Sequence, residues 1–235
     1  MLSVVIPAWN EEARIGSTLE AIAGYLDALR EDYEVLVVDD GSSDGTGRVV
    51  EAAGGRRVRL LRLPENRGKG AAVRAGVLAS QGDEILFSDA DLATPIGELP
   101  KLRAALARGC DIAIGSRALA GSEVQVRQHP LSQEMGRTFN RLVRVLVLDG
   151  FRDTQCGFKL FRGEVGRELF ARATLDGFAF DVEILLLARS RYKVAEVPVV
   201  WRHVEQSKVS PGRDAARMLW DVVKLRWKQG WRTRS

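Results

Sequence analysis

The first half of the chain alternates two hydrophobic rhythms. "LSVVIP" is an unbroken apolar run that predicts a strand, and after it Ile15, Leu19, Ile22, Leu26 and Leu29 recur at spacings of three and four, as on one helix face. "YEVLVVDD" predicts the second strand and "VRLLRL", after a short helix, the third. A helix over "GKGAAVRAGVLAS", a fourth strand in "DEILFSDAD", a helix around Leu99, Leu102 and Leu106, and a fifth strand in "CDIAIGSR" complete the series. Strands alternating with helices predict an α/β fold: an open, Rossmann-like, doubly wound and mostly parallel sheet.

The second half breaks this rhythm. After a polar loop from Gly121 to Pro130, a helix carries Met135, Phe139, Leu142 and Leu146 on one face and Arg137, Arg141 and Arg144 on another, an arrangement that also fits a plain solvated face. "DTQCGFKLF" follows, then a helix through "FDVEILLLARS", a strand "KVAEVPVVW", a polar loop "RHVEQSKVS" and a last helix. With no repeat or linker, the chain divides into one main domain, residues 1–212, and a C-terminal amphipathic helix, residues 213–235. That helix places Ala216, Trp220, Val223, Trp227 and Trp231 along one stripe, with Arg213, Arg217, Lys224, Arg226, Lys228, Arg232 and Arg234 around it. Tryptophan with Lys and Arg on an amphipathic helix is the composition of an interfacial membrane helix. The alternative packs the tryptophans onto the domain.

Composition narrows the partners. With 235 residues and 46% hydrophobic content the chain can bury a full core, and its net charge of +4 suits an anionic partner: nucleic acid, a phosphorylated small molecule or a lipid surface. Cys110 and Cys156 have neither disulfide-framework nor zinc spacing, so a reducing cytoplasm is the default. Met1 runs directly into a strand rather than a signal peptide, and no apolar stretch approaches the ~18 residues of a spanning helix. Membrane contact is therefore predicted to be peripheral.

In open α/β sheets, ligands bind beyond the carboxyl ends of the strands. Those ends read "PAWNEE", "DDGSSDGT", "PENRGKG", "SDADLATP" and "GSR", rich in carboxylates and in Arg or Lys beside Gly, which predicts phosphates and a divalent cation. Neither a G-x-G-x-x-G nor a G-x-x-x-x-G-K-[ST] is present, which disfavours a dinucleotide dehydrogenase and a Walker-type ATPase. Strand alternation sends Asp89 and Asp91 to the same side, where two carboxylates can share a hard cation. The competing reading is an Asp-rich turn capping the helix after Pro95. Asp39 and Asp40 are placed to accept hydrogen bonds from a ribose or base, although "DGSSDGT" is also ordinary turn chemistry, with Asp44 or Ser43 capping a helix. The four acids together outline a nucleoside diphosphate with its metal.

"VVIPAWNEE", "VVDDGSSDGT", "NRGKGAAVRAG", "SDADLATP", "GSR", "RDTQCGFKLF", "FAFDVEILLLA" and "VPVVWRHVEQSKVS" occur in that order, and nearly the whole chain resembles the family-2 glycosyltransferases of GT-A fold. Within them it is more similar to the polyprenyl-phosphate (dolichyl-phosphate) sugar synthases, on the glucose-type side. The resemblance implies an inverting hexosyltransferase that moves glucose from UDP-glucose to a polyprenyl phosphate at the cytoplasmic membrane face, with Mg²⁺ or Mn²⁺. It implies a base pocket of Pro7, Trp9, Glu11 and Asp39, with Asp40 also on the donor side and Lys69 near the phosphates. Asp89, Ala90 and Asp91 would face the ribose and pyrophosphate, with Asp89 and Asp91 on the metal. Arg117 would bind the acceptor phosphate, and Arg202 with Lys208 would grip the diphosphate. Two positions depart from the mannose synthases: Ala93 replaces a third polar metal ligand, and no Arg stands near Leu131 and Ser132, leaving Arg127 or Arg137 for a second acceptor clamp.

The chemistry sets a further choice. Departure of a nucleoside diphosphate builds charge that a metal and fixed cations stabilise. A phosphate acceptor, with second pKa about 6, needs no strong base, whereas a soluble hydroxyl acceptor does, and Asp153 is then the nearest carboxylate. A signalling receiver module shares the acidic strand ends but needs a Lys where this chain has "GSR", and nucleic-acid binding lacks a recognition motif.

Overall fold

Strands covered by helices on both faces meet no water, so their sequences run apolar without alternation. β1 (Leu2–Ala8) and β2 (Tyr33–Asp39) follow that rule: every residue of β2, and all of β1 but Pro7, is buried. The computed structural model describes residues 1–55, 57–125, 150–202 and 213–232. β3 (Val58–Arg62), β4 (Glu84–Ser88), β5 (Ile112–Ser116), β7 (Phe158–Arg162) and β8 (Val194–Pro198) complete a seven-stranded sheet of order β3-β2-β1-β4-β7-β5-β8. Two short strands, β6 (Glu123–Val124) and β9 (Val200–Trp201), pair in parallel beside it.

Alternate residues of the central strands feed two apolar layers. Val4, Ile6 and Leu86 face α1 (Ile15–Ala28) and α4 (Leu99–Ala107), which bury Ile15, Leu19, Ile22, Leu26, Leu99, Leu102 and Leu106. Leu29 lies past the end of α1 and is exposed, so the predicted stripe stops one turn early. Val5, Ile85 and Phe87 face α3 (Lys69–Ala79), α5 (Gly163–Arg172) and α6 (Phe180–Ala188). The short helix α2 (Thr46–Ala53) covers the β2–β3 side.

The mostly parallel expectation is met with one inserted exception. "FKLF", to which the sequence pattern assigns no element, forms β7, antiparallel to both neighbours, with Lys159 opposite Phe87 on β4 and Ile114 on β5. The sequence pattern assigns no element to α5 after it either, and "KVAEVPVVW" is two strands rather than one.

The terminal helix α7 (Arg213–Arg232) has two distinct apolar faces. Met218, Val222 and Leu225 join the second core layer, while Trp220 and Trp227 are 60% and 77% exposed. The alternative in which these two tryptophans pack onto the domain is thereby corrected. Among the described residues, no helix is long and apolar enough to cross a membrane.

Candidate functional site

The carboxyl ends of β1 and β2 lie side by side, Ala8 in register with Asp39, and their loops are laced together. Asn10 donates its N–H to Ser42 Oγ (2.9 Å) and accepts the Ser43 N–H on Oδ1 (2.8 Å); the Glu11 N–H reaches Thr46 Oγ1 (2.7 Å), and Gly45 N–H reaches Glu12 Oε2 (2.9 Å). Asp44 accepts the Thr46 N–H at 3.0 Å in the turn before α2, but the N-cap position is Gly45 and no side chain caps the helix, so the predicted Asp44 or Ser43 cap is not formed. Asp39 is buried and accepts the Ser42 N–H at 2.9 Å. Asp40 uses both oxygens on the next loop, accepting the N–H groups of Arg67 (2.9 Å) and Gly68 (2.8 Å). Gly68 sits at φ +111° with its absent Cβ 2.5 Å from the Asp176 carbonyl, so only glycine fits there, and Lys69 opens α3 toward the site.

The D-x-D turn follows β4. Asp89 donates its N–H to the Gly157 carbonyl at 3.0 Å, and its Oδ1 lies 2.7 Å from Lys69 Nζ. A Cβ on Gly157 would stand 1.9 Å from Asp89 Oδ2, so the carboxylate occupies the space a side chain would fill. Asp91 accepts the Ala93 N–H at 3.0 Å across Leu92, whose φ of +46° is unusual for a leucine. The Thr18 hydroxyl ties α1 to the Ala90 carbonyl at 2.6 Å. Burial and the neighbouring Asp89 charge both push the Asp91 carboxyl above the usual carboxylate range. Burial opposes the charge of Lys69, but Asp89 and Asp181 outweigh it and hold the amine above the ordinary lysine value.

On the other side of Asp89, Arg117 and Asp153 form a bidentate pair: Nε to Oδ2 at 2.6 Å and Nη2 to Oδ1 at 2.9 Å, with the Arg117 N–H also on Oδ2 at 3.0 Å. The guanidinium lies over the Trp201 ring, 5.5 Å from its centroid. Glu196 fixes the same loop by accepting the N–H groups of Arg152 and Asp153, both at 2.9 Å. Although burial works the other way, Arg117 holds the Asp153 carboxyl down at about 2. Arg202 donates its N–H to the Ala93 carbonyl at 2.7 Å and Nε–H to Gln125 Oε1 at 2.9 Å, which seats β9 beside the D-x-D turn.

The family model for glycosyl transferase family 2 matches residues 3–170. The chain belongs to that family. This glycosyltransferase is 36% identical over 242 residues to the dolichyl-phosphate beta-glucosyltransferase of Dictyostelium discoideum, covering 97% of the chain and 74% of the relative. It is 37% identical over 250 residues to the human protein of that name, covering 98% and 77%. Among solved structures, Mycobacterium tuberculosis glucosyl-3-phosphoglycerate synthase, in its complex with Mn²⁺, UDP-glucose and glycerol 3-phosphate, has the same fold at TM-score 0.73 and 22% identity, covering 96% of this chain and 79% of that one.

The fold of this glycosyltransferase gathers Asp39, Asp40, Lys69, Asp89, Asp91, Arg117 and Arg202 at one end of the sheet, and Pro7 and Trp9 close β1 beside them. Glu11 is turned to Arg14, which it binds through both carboxylate oxygens, and the Arg14 guanidinium feels the charges of Asp91 and Asp89. Arg127, Arg137 and Lys208 lie outside the described residues. Asp153, the expected base for a hydroxyl acceptor, is buried and paired with Arg117 through both oxygens, surroundings that lower its basicity.

The donor set suits Mg²⁺ or Mn²⁺. Among the described residues no group of three or more His, Cys, Asp and Glu could hold a metal ion; the D-x-D turn itself carries two carboxylates, Asp89 and Asp91. A hard cation of this kind is held by one or two carboxylates and completes its shell with phosphate oxygens and water. Their mutual repulsion, expressed at Asp91, is what a cation would relieve.

Sequence reasoning missed Arg14, Gly157, Lys159, Asp181, Glu196 and Trp201. A signal was available for two of them. Lys159 is a lone cation in an apolar strand and Asp181 a lone acid entering an apolar helix, and such groups are rarely buried unless paired.

Proposed function

We propose that this glycosyltransferase transfers glucose from UDP-glucose to a polyprenyl phosphate with inversion, at the cytoplasmic surface of a membrane. The observation that carries the choice of acceptor is the Arg117–Asp153 pair. The rival reading, a soluble hydroxyl acceptor, needs Asp153 as a base, and that carboxylate is buried, ion-paired and held at about 2. A phosphate monoester is already largely a dianion at neutral pH and needs positioning and charge matching instead. Arg117 supplies them from a fixed position, with Asp153 orienting its plane and Trp201 beneath it. The near full-length similarity to proteins named dolichyl-phosphate beta-glucosyltransferase supports the same acceptor class and sugar.

On the donor side, Asp39 is placed for the nucleoside, with Pro7 and Trp9 beside it, and Asp40 shapes the loop that presents Lys69. Asp89 and Asp91 would hold the cation, which when bound neutralises charge developing on the leaving diphosphate. Arg202, fixed beside the turn through Ala93, joins Lys208 as the cationic side of that diphosphate. The tryptophan face of α7, flanked by the exposed Arg217 and Lys224, is the membrane contact.

Thin-layer chromatography of label from UDP-glucose and from GDP-mannose, each incubated with polyprenyl phosphate and Mn²⁺ or Mg²⁺, tests the reading. Label from UDP-glucose should enter the lipid phase, and excess EDTA should stop it. Transfer to a soluble hydroxyl compound with none to the lipid would refute the acceptor assignment.

A further inference from the structure

Beneath the D-x-D turn, four charged side chains alternate in sign around one aromatic ring. Asp89 Oδ1 lies 2.7 Å from Lys69 Nζ, and Asp181 Oδ1 lies 2.5 Å from Lys159 Nζ. Both ammonium groups sit over the ring of Phe87, at 5.3 and 5.6 Å from its centroid. The shared ring joins the two pairs into one set. The Lys159 and Asp181 side chains are 2% and 4% exposed. A pair so deeply buried loses hydration that its attraction barely recovers, and apolar residues of the same shape often serve stability as well. Its contacts lead instead to the functional turn. Lys159 Nζ donates a second hydrogen bond to the Cys156 carbonyl at 2.6 Å, next to Gly157, whose own carbonyl takes the Asp89 N–H and whose bare Cα admits the Asp89 carboxylate.

We propose that Lys159 and Asp181 are positioning residues for metal–diphosphate binding. Lys159 holds the Cys156–Gly157 segment against Asp89, and Asp181, paired with Lys159 at 2.5 Å, fixes that lysine in place. The inference rests on the metal and nucleotide reading above. Its direction follows from that chain of contacts: with Asp181 neutralised, Lys159 loses its partner and no longer holds the segment that seats the Asp89 carboxylate.

Calorimetric titration of UDP into wild type, Asp181→Asn and a Lys159→Met/Asp181→Leu double variant, in Mn²⁺ and again in EDTA, tests it, with a melting curve for each protein. Asp181→Asn should weaken UDP binding in Mn²⁺ by about tenfold or more, equivalent to about 1.4 kcal/mol, and in EDTA much less. The double variant should melt near wild type yet show the same Mn²⁺-dependent loss. Folded variants that bind UDP with Mn²⁺ as wild type does, or lose affinity equally in EDTA, would overturn the inference. A wild type that binds no UDP in Mn²⁺ would sink the donor reading itself, whereas normal wild-type binding with unaffected variants sinks only the role of the pair.

Discussion

Replacing Asp153 by Asn removes one charge from the Arg117 pair while keeping the size of the side chain. The folded protein holds this carboxyl at about 2 against an ordinary 3.8, which at about 1.4 kcal/mol per tenfold change in equilibrium corresponds to ~2 kcal/mol of stability at neutral pH. Both side chains are largely buried, 2% and 28% exposed, so solvent screening takes little from that figure. For a chain of this length ~2 kcal/mol is a fall in Tm of about 4–8 °C. Because the folded-state pKa lies below the unfolded one, the stabilisation is complete above about pH 5 and is lost as pH falls through 3.8 toward 2. Denaturant melts of wild type and Asp153→Asn should therefore differ by a constant amount from pH 7 to about pH 5 and converge only as pH falls through 3.8 toward 2. In steady-state kinetics the variant should raise the acceptor KM through a loosened Arg117 and change kcat less. A stability gap independent of pH would refute the ion-pair account. A collapse of kcat with unchanged acceptor KM would restore Asp153 as a base.

Three further outcomes follow from the same geometry. Asp91→Asn should nearly abolish turnover, yet the metal-free variant should melt at or above the wild-type temperature, since a carboxyl raised by burial and by Asp89 weakens the fold when ionised; most activity retained at saturating metal would remove Asp91 from the metal site. Gly157→Ala should fold but displace the Asp89 carboxylate, and wild-type Mn²⁺ affinity in that variant would show that the carboxylate relocates without consequence. Trp220→Ser/Trp227→Ser should leave Tm nearly unchanged and reduce sedimentation with anionic liposomes, whereas truncation before Arg213 removes Met218, Val222 and Leu225 from the core and should destabilise the protein; liposome binding by the double Ser variant equal to wild type would exclude this face as the membrane contact.

The sequence by itself determined what is local and periodic. Continuous apolar runs and three-four spacing establish the βα alternation of the first half, and with it the rule that places ligands at the carboxyl strand ends, so Asp39, Asp89, Asp91 and Lys69 were found together without coordinates. The ordered motifs were specific enough to indicate the family. Tertiary structure decided what depends on partners far apart in the chain. β7 is five residues with a lysine at its second position, and its place between β4 and β5 comes from pairings no local pattern encodes. Asp153 reads as a base or a cap until Arg117, 36 residues away, is seen to neutralise it. Asp40 resembles a ligand group until its two oxygens are seen on Arg67 and Gly68. The Trp stripe of α7 is amphipathic in either reading, and only the burial of Met218, Val222 and Leu225 shows which apolar face the core takes. Hydrophobic period reports which residues leave water, whereas the role of a charge depends on the opposite charge the fold brings to it, and that pairing exists only in three dimensions.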